Sequence, residues 1–139
     1  MESIIQLLTP KKLTFYMDED STIRQALEKF DAHKFSVVPL VDKEGKYAGT
    51  LSEGDILRFI KNQSNFNIYL AENIEIKNIE RYRPYKSIKI DALFSEVFAL
   101  SLEQNFIPVV DDKDIYIGII KRKEIIQYLS EKIDFKFNS

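Results

Sequence analysis

The chain of 139 residues has no cysteine, a single histidine, four glycines and four prolines, and its 20 basic and 22 acidic residues leave a net charge of −2. Without cysteine there is no disulfide, no thiolate nucleophile and no zinc–thiolate site. The one histidine, His33, stands in the polar stretch Asp31-Ala32-His33-Lys34 at the end of a helical pattern, where a surface position favoured by the helix C-terminus accounts for it. That leaves little for general acid–base chemistry, which asks for a histidine or paired carboxylates in a buried cleft. Four glycines are too few for most phosphate-wrapping loops, and neither a Walker sequence nor a nucleophile elbow occurs. Nearly cancelling charge gives no global field to attract nucleic acid. No apolar run approaches the roughly 18 residues needed to cross a bilayer. The start Met1-Glu2-Ser3-Ile4-Ile5-Gln6 lacks the basic opening of a signal peptide. These absences lead to the expectation of a cytoplasmic protein that catalyses nothing, needs no metal or cofactor, and does not engage a membrane.

What the chain does have is apolar material, 45% of its residues, including seven tyrosines and ten phenylalanines. That is enough for a core in a single compact module over 1–139. Richness in Ile, Lys and Asn points to an AT-rich bacterial genome.

An internal repeat organises the sequence. Phe35-Ser36-Val37-Val38-Pro39-Leu40-Val41-Asp42 followed by Tyr47-Ala48-Gly49-Thr50-Leu51 matches Asn105-Phe106-Ile107-Pro108-Val109-Val110-Asp111 followed by Tyr116-Ile117-Gly118-Ile119-Ile120. Pro39, Asp42, Tyr47, Gly49 and Ile56 map to Pro108, Asp111, Tyr116, Gly118 and Ile125 at a constant offset of 69 residues. Chance rarely aligns such residues without gaps, and repeats of this kind are sought first because they set the whole fold.

Each repeat reads strand, helix, strand, strand, helix. In the first, Leu13–Met17 is a short strand, and Asp20-Ser21-Thr22 signals a helix start before Ile23, Ala26, Leu27 and Phe30. Phe35–Val41 and Lys46–Leu51 form a hairpin around Lys43-Glu44-Gly45, then Ile56, Leu57, Phe59 and Ile60 line a second helix. In the second, Ser87–Ile90 is a strand, and Leu93, Val97 and Leu100 mark a helix about one residue out of frame. Phe106–Val110 and Ile115–Ile120 form the hairpin, and Ile125, Ile126, Tyr128 and Leu129 line the last helix. Motif boundaries follow at 7–62 and 72–131, with a linker at 63–71 and a tail at 132–139. Ile68–Arg83 bridges the repeats and is partly helical in this reading.

The expected fold class is α/β (α+β): two βαββα motifs related by a pseudo-twofold axis, their three-stranded sheets packed together, because half-cores of about 50 residues are marginal alone. Clefts would then open where the strand-to-helix turns converge.

This pattern resembles the CBS domain, and two in tandem resemble a Bateman module; the likeness covers roughly residues 7–131. The resemblance implies binding of AMP, ADP, ATP, S-adenosylmethionine or cyclic dinucleotides in those clefts, and assembly into a flat homodimer. The family's ligand signature, Gly-x-x-[Ser/Thr]-x-x-[Asp/Asn], is met in full by Gly49-Thr50-Leu51-Ser52-Glu53-Gly54-Asp55. By resemblance, Ser52 approaches phosphate and Asp55 holds ribose hydroxyls. A helix N-terminus suits an anion, since its N–H groups are unpaired and its dipole end is positive. The same residues also make a capping box, with Ser52 as N-cap and Asp55 three residues on. Both readings stand.

The second repeat departs from the signature: Gly118-Ile119-Ile120-Lys121-Arg122-Lys123-Glu124 replaces serine by Lys121 and aspartate by Glu124. Three cations at a helix N-terminus oppose the dipole, and a bound phosphate would offset this. A solvated basic turn is the other reading. The departure resembles the small stand-alone bacterial CBS pairs that bind cyclic di-AMP, in which a basic pair at this turn holds phosphates. That resemblance implies Lys12 and Thr14 from the first repeat's opening strand, with Ser36 and Val37, facing Arg122 and Lys123. Phe15, Tyr16, Phe35, Tyr85 and Phe106 flank these positions as core residues or as stacking partners for adenine. Asp18-Glu19-Asp20 and Asp111-Asp112 read as caps and turns, or as a divalent-ion site.

The leading function is thus a regulator that senses an adenine nucleotide, cyclic di-AMP or AMP, ADP or ATP, and passes the signal to a protein partner. A ligand-free dimerisation scaffold is the alternative. Nucleic-acid binding through Lys121, Arg122, Lys123, Arg81 and Arg83 with Tyr82 and Tyr85 is disfavoured by the net acidity.

Overall fold

The computed structural model describes residues 3–138; Met1, Glu2 and Ser139, the extremes of the N-terminal stretch and of the expected tail, lie outside the described residues. In chain order the elements are β1 (Leu8–Pro10), β2 (Met17–Asp18), α1 (Ile23–His33), β3 (Val37–Val41), β4 (Tyr47–Ser52), α2 (Glu53–Lys61), α3 (Ile68–Asn73), β5 (Ile88–Lys89), α4 (Phe94–Ser101), β6 (Phe106–Val110), β7 (Tyr116–Lys121) and α5 (Arg122–Asn138). Short 3-10 turns cover Ile4–Leu7, Lys11–Leu13 and Ile76–Asn78. The βαββα order is present twice.

Two compact units result: residues through Thr14 together with Tyr85 onward, and Phe15–Pro84. In the latter, the sheet order is β2-β3-β4, with β2 parallel and β4 antiparallel to β3. Its core gathers Met17, Ile23, Ala26, Phe30, Val38, Leu40, Leu51 and Ile56 from the first repeat, plus Ala71, Ile76 and Ile79 from the bridging segment. The stretch from 72 to 84, assigned from sequence to the second motif, therefore packs with the first. The expected linker also carries structure, since Asn67 caps α3 by accepting from the Leu70 N–H at 3.1 Å.

The other unit has four strands in the order β1-β7-β6-β5 rather than the three expected. The extra strand is β1, antiparallel to β7, with Leu8 beside Ile120 and Pro10 beside Gly118. An uncovered β7 edge would leave a row of backbone groups unpaired, and β1 covers it. Ile4 and Leu7 join Ile88, Val97, Ile107, Val109, Ile120 and Ile125 in this core. The residues before Thr14 thus belong with the second repeat in space.

The opening strands are shorter than the sequence reading, two residues each instead of Leu13–Met17 and Ser87–Ile90. Pro39 and Pro108 supply the reason. Proline has no N–H for a ladder, and the parallel strands begin alongside the next residues, Leu40 and Val109. Met17 and Ile88, like Ile23 and Phe94, are 71 residues apart, whereas the hairpins and last helices keep the 69-residue frame. The second repeat is therefore two residues shorter before its hairpin, not one. Its helix α4 has 8 residues against 11 in α1. Helix α5 continues to Asn138, through the segment read as a tail.

Local chemistry explains the punctuation. Thr22 and Gln25 form a reciprocal capping box at α1, the Thr22 side chain accepting from the Gln25 N–H and the Gln25 side chain from the Thr22 N–H. Both hairpins turn on an aspartate: Asp42 accepts from Glu44 and Lys46 N–H groups, and Asp111 from Lys113 and Ile115. These acidic residues act as turn formers. The left-handed position of the turn is Gly45 (φ 84°) in one repeat and Asp114 (φ 66°) in the other. At Gly118, φ is 152° and a Cβ would collide with the Thr9 carbonyl oxygen.

Gly118→Ala is expected to destabilise the protein by roughly 2–4 kcal/mol, because the backbone of β1 must move away. Urea unfolding checks this; an unchanged midpoint contradicts the tight β1–β7 approach.

Candidate functional site

The same corner is built in both units. The first N–H of α2, from Glu53, donates to the Ser36 carbonyl at 2.9 Å, and the first N–H of α5, from Arg122, donates to the Asn105 carbonyl at 2.9 Å. In register, Val37 pairs with Ser52, and Phe106 pairs with Lys121. Each last helix therefore starts beside the start of the central strand, and the residue before it, Ser52 or Lys121, sits at the helix mouth.

In the first-repeat unit the mouth is capped. Ser52 Oγ accepts from the Asp55 N–H at 3.0 Å, and Asp55 Oδ2 accepts from the Ser52 N–H at 3.0 Å. This is the capping box allowed by the sequence. Asp55 is only 5% exposed. Its other oxygen, Oδ1, accepts from the Tyr82 backbone N–H at 3.0 Å and from Arg58 Nη1 at 3.2 Å. Burial by itself pushes the Asp55 carboxyl up, but the hydrogen bonds from Tyr82, Ser52 and Arg58 outweigh it and hold the group below the ordinary carboxylate value. Beside it lies a cavity of about 350 Å³ lined by Asp55, Arg58, Phe59, Asn62, Gln63, Asn78, Glu80 and Tyr82. Ser36 is exposed and Val37 half-buried.

In the second-repeat unit the mouth is cationic. Lys121 ends β7, and Arg122 and Lys123 open α5. A lysine has no acceptor to offer the helix N–H groups. Arg122 is held from behind: its Nε donates to the Ser101 carbonyl at 2.7 Å. Such a bond fixes the plane of the guanidinium and leaves its outer edge suited to a bidentate anion contact. Phe106 lies on the same side, its ring 4.9 Å from that of Tyr85. The buried Gln104 braces the neighbourhood by accepting from the Lys86 N–H at 2.8 Å and donating to the Lys86 and Phe106 carbonyls.

Lys12 and Thr14 belong to this second-repeat unit as well. Lys12 is exposed in the 3-10 turn, and Thr14 Oγ1 shares a 2.8 Å hydrogen bond with the Tyr116 hydroxyl. Tyr116 begins β7 and Arg122 follows its end, so about 20 Å of chain separates the two, at roughly 3.3 Å per residue. Lys121, Arg122, Lys123 and Phe106 share one end of the sheet; Lys12 and Thr14 do not share it. Ser36, Val37, Ser52 and Asp55 lie in the other unit.

Sequence reasoning missed Ser101, Gln104, Tyr82 and Arg58. Ser101 acts through its carbonyl and Tyr82 through its amide, which no side-chain motif reports. Arg58 has a signal in hindsight, since it stands three residues after Asp55 on one helix face. Of the cations once grouped for nucleic acid, Arg81 donates to the Ala48 carbonyl at 2.7 Å and is in the first-repeat unit with Arg83, while Lys121, Arg122 and Lys123 are in the second. Asp20 pairs with Lys77 at 2.7 Å. Among the described residues, no group of three or more acidic or histidine side chains is placed to hold a metal, and no helix is long and apolar enough to cross a membrane.

Asp55→Asn is expected to cost about 1–3 kcal/mol, since a buried acceptor of two backbone N–H groups is weakened. Because folding depresses this carboxyl, its contribution is fully present above about pH 4 and is lost as pH falls through the lower folded value. Urea titrations at several pH values should show a smaller loss of stability below pH 4 in the variant than in the wild type; equal losses contradict the assignment.

The CBS domain family model matches residues 11–62 and again residues 76–131. An A-adding tRNA nucleotidyltransferase of Aquifex aeolicus is 25% identical over 122 residues, which span 86% of this chain and 14% of the enzyme. The crystal structure of CbpB in complex with c-di-AMP superposes with a TM-score of 0.88 at 22% identity, covering 99% of this chain and 91% of that one. The crystal structure of CBSX2 in complex with AMP gives a TM-score of 0.73 at 20% identity, covering 94% and 98%. At these identities the likeness to solved structures is one of fold. Two matched motifs, each with its βαββα order and its strand-to-helix corner, make this chain a tandem member of the CBS domain family.

Proposed function

We propose that the chain is a non-catalytic regulatory module that binds an adenine nucleotide, with cyclic di-AMP as the first candidate and AMP, ADP or ATP as alternatives, and that it passes the binding event to a protein partner. The observation that carries this reading is the cationic mouth of α5. Lys121 replaces the expected cap, and Arg122 is pre-aimed by its bond to the Ser101 carbonyl. Helix N–H groups, the positive dipole end and three cations then serve one anion. A dinucleotide carries two phosphates and makes fuller use of three cations than a lone monophosphate does. Phe106 and Tyr85 offer an aromatic pair for a base, and Lys12 and Thr14 are proposed to take more distant parts of an extended ligand. That the solved CbpB and CBSX2 structures hold c-di-AMP and AMP supports the ligand class.

A signal requires that the nucleotide bind one conformation better than another. A coupling of about 1–3 kcal/mol is typical. We further propose a homodimer formed through apolar helix surfaces, where Leu57 on α2 and Ile126 on α5 are 53% and 59% exposed. The scaffold reading draws support only from the occupied Asp55 carboxylate.

Isothermal titration with cyclic di-AMP, AMP, ADP and ATP tests the ligand. Binding is expected, weakened at least ~10-fold by Arg122→Ala and unchanged by Lys113→Ala in the hairpin turn, since one charge-assisted bidentate contact is worth about 1.5–3 kcal/mol. No binding near 1 mM, or equal effects of the two variants, contradicts the assignment. Light scattering should give about twice 16.3 kDa for the wild type and half that for Leu57→Glu; a monomeric wild type contradicts the homodimer.

A further inference from the structure

The two helix mouths differ in more than charge, for that of the first repeat is shut. Asp55 has both carboxylate oxygens engaged, by Ser52, Tyr82 and Arg58. The Asp55 amide of α2 is also spent, on Ser52 Oγ, beyond the first-turn bond of Glu53 to the Ser36 carbonyl that Arg122 and Asn105 repeat in the other unit. A ribose diol would need the carboxylate, and a phosphate would need that amide and the Ser52 hydroxyl.

The segment that does the shutting is firmly seated. Ile76 and Ile79 are buried in the first-repeat core just before it. Arg81 Nη1 donates to the Ala48 carbonyl at 2.7 Å and packs over Gly49. The Arg58 guanidinium lies 4.6 Å from the centre of the Tyr82 ring, a cation–π distance, so the side chain that reaches Asp55 also covers the residue whose amide does. The closed arrangement has one cost: Arg81 Nε is buried without a hydrogen-bond partner. Opening would hydrate that group.

The corresponding segment of the second repeat has a different sequence and a different anchor. The segments before the opening strands are 71 residues apart, so Arg81-Tyr82-Arg83 corresponds to Pro10-Lys11-Lys12, while Asp55 corresponds to Glu124 in the 69-residue frame of the last helices. There Thr14, just after the segment, is tied to β7 through the Tyr116 hydroxyl.

We propose that Arg58 and the Arg81–Arg83 segment form a clamp that closes the N-terminus of α2 to nucleotide, so that each chain takes up one nucleotide, at the cations of the second repeat, rather than two. This rests on the nucleotide-binding reading given above and fixes its stoichiometry. Ser52 and Asp55 keep the form of a ligand signature while serving as a cap and an anchor.

Titration of the full chain with cyclic di-AMP, and separately with AMP, tests this. The wild type should bind one nucleotide per chain, with affinity lowered at least tenfold by Arg122→Ala and little changed by Ser52→Ala. Removing both clamp bonds in Arg58→Ala/Tyr82→Pro should raise the stoichiometry toward two, the added site being insensitive to Arg122→Ala. Two nucleotides bound per wild-type chain overturns the clamp and leaves the nucleotide reading intact; no binding at all overturns that reading and the clamp's role with it. Amide hydrogen exchange gives a readout that survives poor folding of the double variant. The Tyr82 amide should exchange at least tenfold more slowly than the Arg83 amide in the wild type, and lose that protection in Arg58→Ala. A rapidly exchanging Tyr82 amide in the wild type overturns the clamp.

Discussion

One backbone hydrogen bond sets the geometry on which both mouths depend. The first N–H of the last helix donates to the carbonyl just before the central strand, Glu53 to Ser36 in one unit and Arg122 to Asn105 in the other. It docks the helix start against the sheet at the same place each time. Whatever side chain precedes the helix must then either cap it or present itself there. Serine caps; lysine cannot. Serine against lysine, and aspartate against glutamate, in a repeated frame thus leave one mouth capped by its own side chains and the other cationic. The bond is indifferent to side chains, which is why the corner survives divergence while its chemistry does not.

This architecture divides labour between two units that share a plan. In the first, the carboxylate of Asp55 works for stability: it is buried, it accepts from two backbone amides and one guanidinium, and its ionised form is the one the fold favours. In the second, Arg122 is positioned by its own fold, its Nε donating to the Ser101 carbonyl. Fold and candidate function meet at equivalent positions without competing for the same residues.

Much of this was legible in the sequence. The 69-residue frame defines the hairpins, the last helices and the corner, because turns with Asp42 and Asp111, and prolines at 39 and 108, mark positions where backbone chemistry leaves few choices. The capping box at Ser52 was readable for the same reason. What was not legible is where chain segments go once they leave a motif. Leu8–Pro10 completes the sheet of the second repeat, and Ile76 and Ile79 fill the core of the first, because an open strand edge and an unfilled core recruit whatever segment the chain brings near. Periodicity carries no address. Likewise Tyr82 reaches Asp55 through its amide, and a backbone donor has no signature in sequence. The separation of Thr14 from Arg122 follows from the antiparallel β1–β7 register, which short motifs do not encode.

The central claim is that nucleotide phosphate belongs to the cations of the second repeat and not to the serine of the first. A crystal structure of the full chain with cyclic di-AMP bound tests it most directly. The account predicts phosphate oxygens within hydrogen-bonding distance of Arg122, with the Tyr82 amide still on Asp55. Phosphate on Ser52, with the Asp55 carboxylate turned to ribose, would contradict it.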